Sequence, residues 1–397
     1  MRRREFIGVG AGGVAAVSLG ALFWDELFGT AESRPLRRGG GYGALGAPDG
    51  NGIRLPPGFR SRLVASGGKR VRGTDYEWHL ASDGMATFPD PRGGFVLVSN
   101  SEAQKGGASA IRFGADGRAL DAYRILSGTS QNCSGGGTPW GTWLSCEEVG
   151  EGRVWECDPS GRGAAVPRPA MGVFKHEAAA VDAAHGCVYL TEDTVDGGIY
   201  RFTPDRWPDL SVGLLEIARV RGGGTVDWAQ VPDPSGSRVP TRRQVRGGTR
   251  FKRGEGIWLD GGTLYVATTA DHRVHAYQTR TERIRVIYDG LASRSAPLLR
   301  VDQLTGTRAG EVFVCEDIAT DEIHMGVISP DRRVARFLSV TGERHRGSEL
   351  TGVTFDPSGA RMFLSSQRAF PKSEHEPGPG AIFEISGPFR GAERRPA

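Results

Sequence analysis

Lysine is scarce in this chain: five of its 50 basic residues are Lys, and the other 45 are Arg. Arginine's planar fork suits recognition of oxyanions better than an ammonium does. A charge excess of one sign is also lacking. Fifty basic and 46 acidic residues leave a net charge of +4, too balanced for a nucleic-acid partner, and none is expected. Cysteine is sparse, with five in 397 residues, which excludes a disulfide scaffold. The count is odd, so at least one thiol is free, metal-bound or paired between chains. Glycine, in contrast, is abundant at 60 residues, with 23 Pro. No triplet period accompanies them, which excludes collagen. Each interior Gly costs a helix about 1 kcal/mol, which argues against a helical bundle. What remains is a globular, turn-rich, all-β fold.

The first residues read as an export leader. Arg2, Arg3 and Arg4 precede Glu5, Phe6 and Ile7, an apolar Gly-rich run follows to Trp24, and Gly29-Thr30-Ala31 offers a small-x-small cleavage site. Paired arginines before Phe-Ile resemble a twin-arginine leader, which implies the twin-arginine export machinery as a partner. The expected organisation is a leader over 1–31, an N-terminal arm with the first outer strands over 32–74, the main body over 75–390 and a tail over 391–397. The expected location is periplasmic or secreted, with membrane contact only through the leader if it stays uncleaved.

A weak pattern recurs six times in the body: a polar residue, an apolar strand, a turn, a second apolar strand and a polar cluster. The copies start at Asp83, Cys133, Glu177, Glu255, Asp302 and Glu349. Their intervals are 50, 44, 78, 47 and 47 residues, and four of the five approximate one four-stranded propeller blade. The long interval holds an insertion near 207–250, rich in Pro, Gly and Arg, which reads as a loop. Outer strands are expected at Ala110–Phe113, Gly172–Phe174, Ile199–Phe202, His275–Tyr277 and Ala381–Ile385. The expected architecture is a six-bladed β-propeller with a metal cluster at one mouth of its central channel. Cys146, Cys187 and Cys315 fall in apolar runs and read as core.

In an antiparallel hairpin the start of the first strand lies beside the end of the second. Six copies therefore ring one mouth with polar residues. These are Asp83, Asn100, Glu102, Cys133, Glu147, Glu148, His176, Glu177, Glu192, Asp193, Glu255, Asp271, Asp302, Glu316, Asp317, Glu349 and Gln367. So many facing carboxylates need cations or retained protons. Carboxylate and amide oxygens suit Ca²⁺, whereas a thiolate at Cys133 suits an iron-like or zinc-like ion.

The run Asn132 to Glu148, N-C-S-G-G-G-T-P-W-G-T-W-L-S-C-E-E, resembles the signature of PhoX-type alkaline phosphatases. H-E-A-A-A-V-D, V-Y-L-T-E-D, F-K-R-G-E-G-I-W, V-C-E-D and S-E-L-T-G-V-T-F-D-P-S-G resemble the family's later motifs, in order. The resemblance spans about residues 75 to 370. It implies a six-bladed propeller, twin-arginine export and an Fe³⁺ and Ca²⁺ cluster that hydrolyses small phosphate monoesters through a bound oxide or hydroxide. It makes Cys133 an iron ligand and Glu147, Glu148, Glu177, Glu192, Glu255 and Glu316 further metal ligands. Glu102 and Asp317, from the same ring, join the expected set. Arg253 and Arg368 read as phosphate clamps, and His176 as an orienter of Glu177 or a proton donor to the leaving group. The chain departs from the family at Asn100-Ser101-Glu102, where Asn-His-Glu is expected, and it is shorter. The alternatives are a calcium-dependent lactonase-like propeller hydrolase, which needs no thiolate, and a non-catalytic metal-binding propeller.

Overall fold

The computed structural model describes residues 41–294, 296–318, 320–373 and 376–392; the expected leader and most of the expected tail lie outside them. Six antiparallel sheets form the molecule, and among the described residues the helical elements are four three-residue 3₁₀ turns. Blade 1 runs over Ser82–Pro89, Phe95–Ser101, Gly107–Phe113 and Ala119–Leu126. Blades 2 to 6 begin with inner strands Asn132–Gly137, His176–Asp182, Gly254–Asp260, Val301–Gly306 and Leu350–Phe355. Each inner strand contacts those of its two neighbours, and the sixth returns to the first, so the sheets close into a ring around a channel. The chain also closes the ring. Strand Arg60–Ser66 pairs with Ala381–Ser386 as the outer strand of blade 6, and Ile53–Arg54 adds to blade 5.

Apolar residues on the faces of each sheet must be covered by the next. The core accordingly divides into six clusters, one at every blade-to-blade interface, from Phe88, Val98 and Trp143 between blades 1 and 2 to Phe95, Phe363 and Ile382 between blades 6 and 1. Cys146, Cys187 and Cys315 are buried within these clusters.

Two expectations need correction. Gly172–Phe174 is not a strand: Pro169–Met171 forms a 3₁₀ turn and Gly172 follows at φ 100°, so the third strand of blade 2 is Val154–Cys157. The insertion near 207–250 is not all loop. Asp209–Val220 is the long fourth strand of blade 3 and Val226–Gln230 a fifth; alternating burial in Asp209–Val220 places Leu210, Leu215 and Ile217 against the blade 2 side. Residues 231–253 are irregular, apart from the turn Thr241–Arg243.

Candidate metal centre

All six inner hairpins carry a β-bulge near the mouth. Two residues of the inner strand oppose one of the second strand at Asp83-Gly84, Cys133-Ser134, Glu177-Ala178, Glu255-Gly256, Asp302-Gln303 and Gly352-Val353. A bulge breaks strict alternation and re-aims a side chain. In five blades the first bulge residue is a metal-ligating type. Three groups have donor atoms within 4.8 Å of one another: Asp83, Glu102 and Cys133; Cys133, Glu148 and Glu177; and Glu177, Glu255 and Asp302. Shared members make them one continuous cluster across blades 1 to 5.

The cluster is buried and acidic. Glu177 and Asp83 are each 1% exposed. Burial first, then the neighbouring carboxylates, pushes Glu177 and Asp302 well above the carboxylate range, and burial is likewise the main cause at Glu148, Glu255 and Glu349. Asp83 rises to about 6, mainly through burial, despite hydrogen bonds from Thr351 Oγ1 at 2.7 Å and Gln367 Nε2 at 2.5 Å. Cys133 Sγ donates to Glu177 Oε1 at 3.3 Å, and burial with the surrounding acids holds it as a thiol. Glu255 Oε1 is buried and accepts no hydrogen bond, although Arg253 Nη2 lies 2.9 Å away in charge contact. These donors fit the cations that the resemblance of the sequence motifs implies. The crowded, buried acids call for positive charge beyond that of Arg253 and Lys175; oxygen donors suit Ca²⁺, and a thiolate suits iron.

Second-strand acid pairs divide between two faces. Glu148 and Glu102 face the cluster. Glu147, Glu192 and Glu316, expected beside them as ligands, do not. Glu147 accepts from Trp155 Nε1 and the Ser130 and Arg153 amides. Glu192 accepts from Tyr200 Oη, the Gly198 amide and Arg242. Glu316 accepts from the Leu299 and His324 amides and is raised by burial to about 7. Consecutive residues of a strand point to opposite faces, so one member of each pair is committed to its own blade. Ser101 occupies the same outward position and donates to the Leu80 carbonyl, so the departure from Asn-His-Glu lies off the cluster. Asn100 instead pins blade 2, donating to the Cys133 and Ser134 carbonyls and accepting from Trp143 Nε1.

Around the cluster runs an arc of alternating charge. Lys175 donates to Glu148 at 2.8 Å and Asp193 at 2.7 Å. Arg253 holds Asp193 at 2.7 and 3.2 Å and reaches Asp317 at 3.5 Å. Arg300 completes the arc on Asp317 at 2.7 Å. Asp317, expected as a ligand, is thus the counter-ion of two arginines and lies outside the three donor groups. Arg368, 3.5 Å from Glu349, keeps a side chain 43% exposed. His176 is not placed to act on Glu177 or a leaving group. It faces away, its Nε2 bonds to the Gly172 carbonyl at 3.0 Å, its ring stacks on Phe174, and burial lowers it to about 4. Sequence reasoning put Asp83 and Asp302 on the ring but left them out of the ligand set; it is the bulges, visible only in the paired register, that bring them into the donor groups.

A sequence model of the family described as alkaline phosphatase PhoX matches residues 105–154 and 150–288, a span that contains Cys133, Glu148, Glu177 and Glu255. Among solved structures, the chain is similar to Pseudomonas fluorescens PhoX in complex with vanadate, a transition-state analogue: TM-score 0.73, 18% identity, covering 89% of this chain and 100% of that one. A protein of unknown function and an auxiliary nutrient binding protein, both from Bacteroides thetaiotaomicron, share the fold more distantly, at TM-scores 0.52 and 0.51, 10% and 12% identity, each covering 83% of this chain and 76% of its own. No curated protein matches. The six-bladed frame, the thiol-and-carboxylate cluster and the matched span agree in making this chain similar to the PhoX alkaline phosphatases.

Proposed function

We propose that the chain is a phosphate monoester hydrolase whose cluster binds iron and calcium. The observation that carries this is the run of buried donors from Asp83 to Asp302, with the thiol of Cys133 shared between two groups. Cys133 with Glu148 and Glu177 would hold iron, and the oxygen-only group Glu177, Glu255 and Asp302 would hold calcium. When bound, such cations supply Lewis acidity toward phosphoryl oxygens and activate water.

The chain's own groups do the rest. Arg253, fixed by Asp193 on one side and Glu255 on the other, presents its guanidinium beside the donors, where it orients an incoming phosphoryl group and stabilises charge developing on it. Its φ of 58° and three carboxylate neighbours hold it in place. Arg368, beside Glu349 and with its end exposed, serves as the second clamp. His176 transfers no proton. Export through the twin-arginine route to the periplasm belongs to the same proposal and is supported by the residues from Arg2 to Ile7.

The test is hydrolysis of p-nitrophenyl phosphate by protein supplied with iron and calcium. Turnover is expected, together with elemental analysis showing both metals, and Cys133→Ala is expected to lose iron and activity together. No turnover by the loaded wild type rejects the phosphatase; full iron in Cys133→Ala rejects the thiolate ligand.

A further inference from the structure

The irregular segment of the blade 3 insertion is extreme in charge. Between Pro234 and Gly254 stand Arg238, Arg242, Arg243, Arg246, Arg250, Lys252 and Arg253, and no acid. A chain otherwise balanced at +4 concentrates seven cations in this stretch. Hydrogen bonds tie the segment to the mouth end of the blade. The Val173 amide donates to the Pro234 carbonyl, the Phe251 amide to the Gly197 carbonyl and the Arg253 amide to the Thr194 carbonyl. Thr241, buried, meets Tyr200 Oη at 2.9 Å.

The cations have divided roles. Arg242 and Arg243 are spent on Asp196, and Arg242 also on Glu192; these contacts fasten the segment. Arg253 belongs to the cluster. Arg238, Arg246, Arg250 and Lys252 are exposed and form none of the ion pairs found among the described residues. Unpaired like charges gathered on one segment repel one another and attract anions.

We propose that this segment is a docking surface for phosphate monoesters bearing at least one further phosphoryl group, such as sugar bisphosphates. This rests on the phosphomonoesterase reading above: the scissile phosphoryl group enters at Arg253 while the second is held by Arg250 and Lys252, the cations nearest Arg253 in the segment; Arg246 lies farther out, where Thr249 bonds to the outer strand Asp209–Val220. A nucleic-acid chain fits less well. The segment's one aromatic, Phe251, is 5% exposed and offers no base a stacking face. Long-range attraction by such a patch is screened beyond roughly 8–10 Å at physiological salt, so it selects charges carried on the substrate itself.

The experiment compares the metal-loaded full chain with the quadruple variant Arg238→Ser, Arg246→Ser, Arg250→Ser, Lys252→Ser; the double variant Arg250→Ser, Lys252→Ser replaces it if the quadruple fails to fold. In the kinetic arm, the wild type is expected to favour fructose 1,6-bisphosphate over fructose 6-phosphate in kcat/KM by about tenfold at 50 mM salt, the preference shrinking at 0.5 M. The variant is expected to lose the preference while keeping its rate on fructose 6-phosphate. In the binding arm, titration with myo-inositol hexasulfate, which carries no phosphoryl group to transfer, is expected to be about tenfold weaker for the variant, with inorganic sulfate unchanged. Equal hexasulfate affinity in wild type and variant overturns the docking surface. Segment-dependent hexasulfate binding with no hydrolysis of any monoester rejects the phosphatase and leaves the surface standing.

Discussion

Glu147 and Glu148 are adjacent in sequence and do different work. Glu148 lies in the donor cluster, and Glu147 accepts two backbone N–H bonds and one indole N–H outside it. The expected outcome of Glu148→Gln is loss of bound metal and at least a hundredfold loss of phosphomonoesterase rate, read by elemental analysis and kcat, on the scale of removing a principal electrostatic group. Glu147→Gln is expected to cost about 1–3 kcal/mol in stability, the range for disturbing buried hydrogen bonds, and to keep its metals; chemical denaturation with metal analysis separates the two. His176→Asn is expected to leave the pH profile of kcat/KM unmoved, because a ring lowered to about 4 stays neutral across the working range. At this scale the sequence was half legible. Residue types gave the acid pairs; which member faces the channel depends on strand alternation and on the bulges, and only the paired register supplies both.

The repeated bulge is the element that makes the site. In two blades its second residue is a glycine packed against the next blade: a Cβ at Gly84 would lie 2.5 Å from Ser134 Cα and 2.9 Å from the Cys133 carbonyl, and one at Gly256 would lie 2.9 Å from the Asp302 carbonyl. Each such glycine therefore sets the position of the neighbouring blade's donor. Gly256→Ala is expected to shift Asp302 and lower calcium occupancy several-fold, while the circular dichroism spectrum stays that of the intact β fold. Retention of full occupancy would show that the neighbouring strand yields. The six hairpins were readable because apolar pairs, turns and polar ends recur at blade spacing. The strand Asp209–Val220 was not, because its Pro- and Gly-rich neighbours dominate the composition of the insertion.

For the whole molecule, the cluster couples stability to metal and to pH. Asp83 sits at about 6 in the fold, against roughly 3.9 in an unfolded chain. Its folded value is raised, so the stability tied to its bound proton is present in full below about pH 4 and lost as pH rises through about 6. Glu148, Glu177, Glu255 and Asp302 shift in the same direction. Chelator-stripped protein is expected to melt progressively lower from pH 5 to pH 8. Restored metals are expected to raise Tm by about 5–10 °C, with the larger gain at pH 8. Differential scanning calorimetry at both pH values checks this, and a metal effect that is larger at pH 5 would contradict it.

The outer strand of blade 6 joins Arg60 to Ser386. A contact between residues so far apart carries a loop-closure entropy of about 5 kcal/mol, and it cannot form until the last strand has been made. The five preceding sheets can assemble during synthesis while blade 6 stays open and its cores toward blades 5 and 1 stay incomplete. Closure is therefore a late event of high contact order, and the first and last strands of the propeller share one seam. Loss of Arg60–Ser66 or of Ala381–Ser386 would unzip the same sheet, whereas a new chain break in a turn of blade 4 would leave the seam intact.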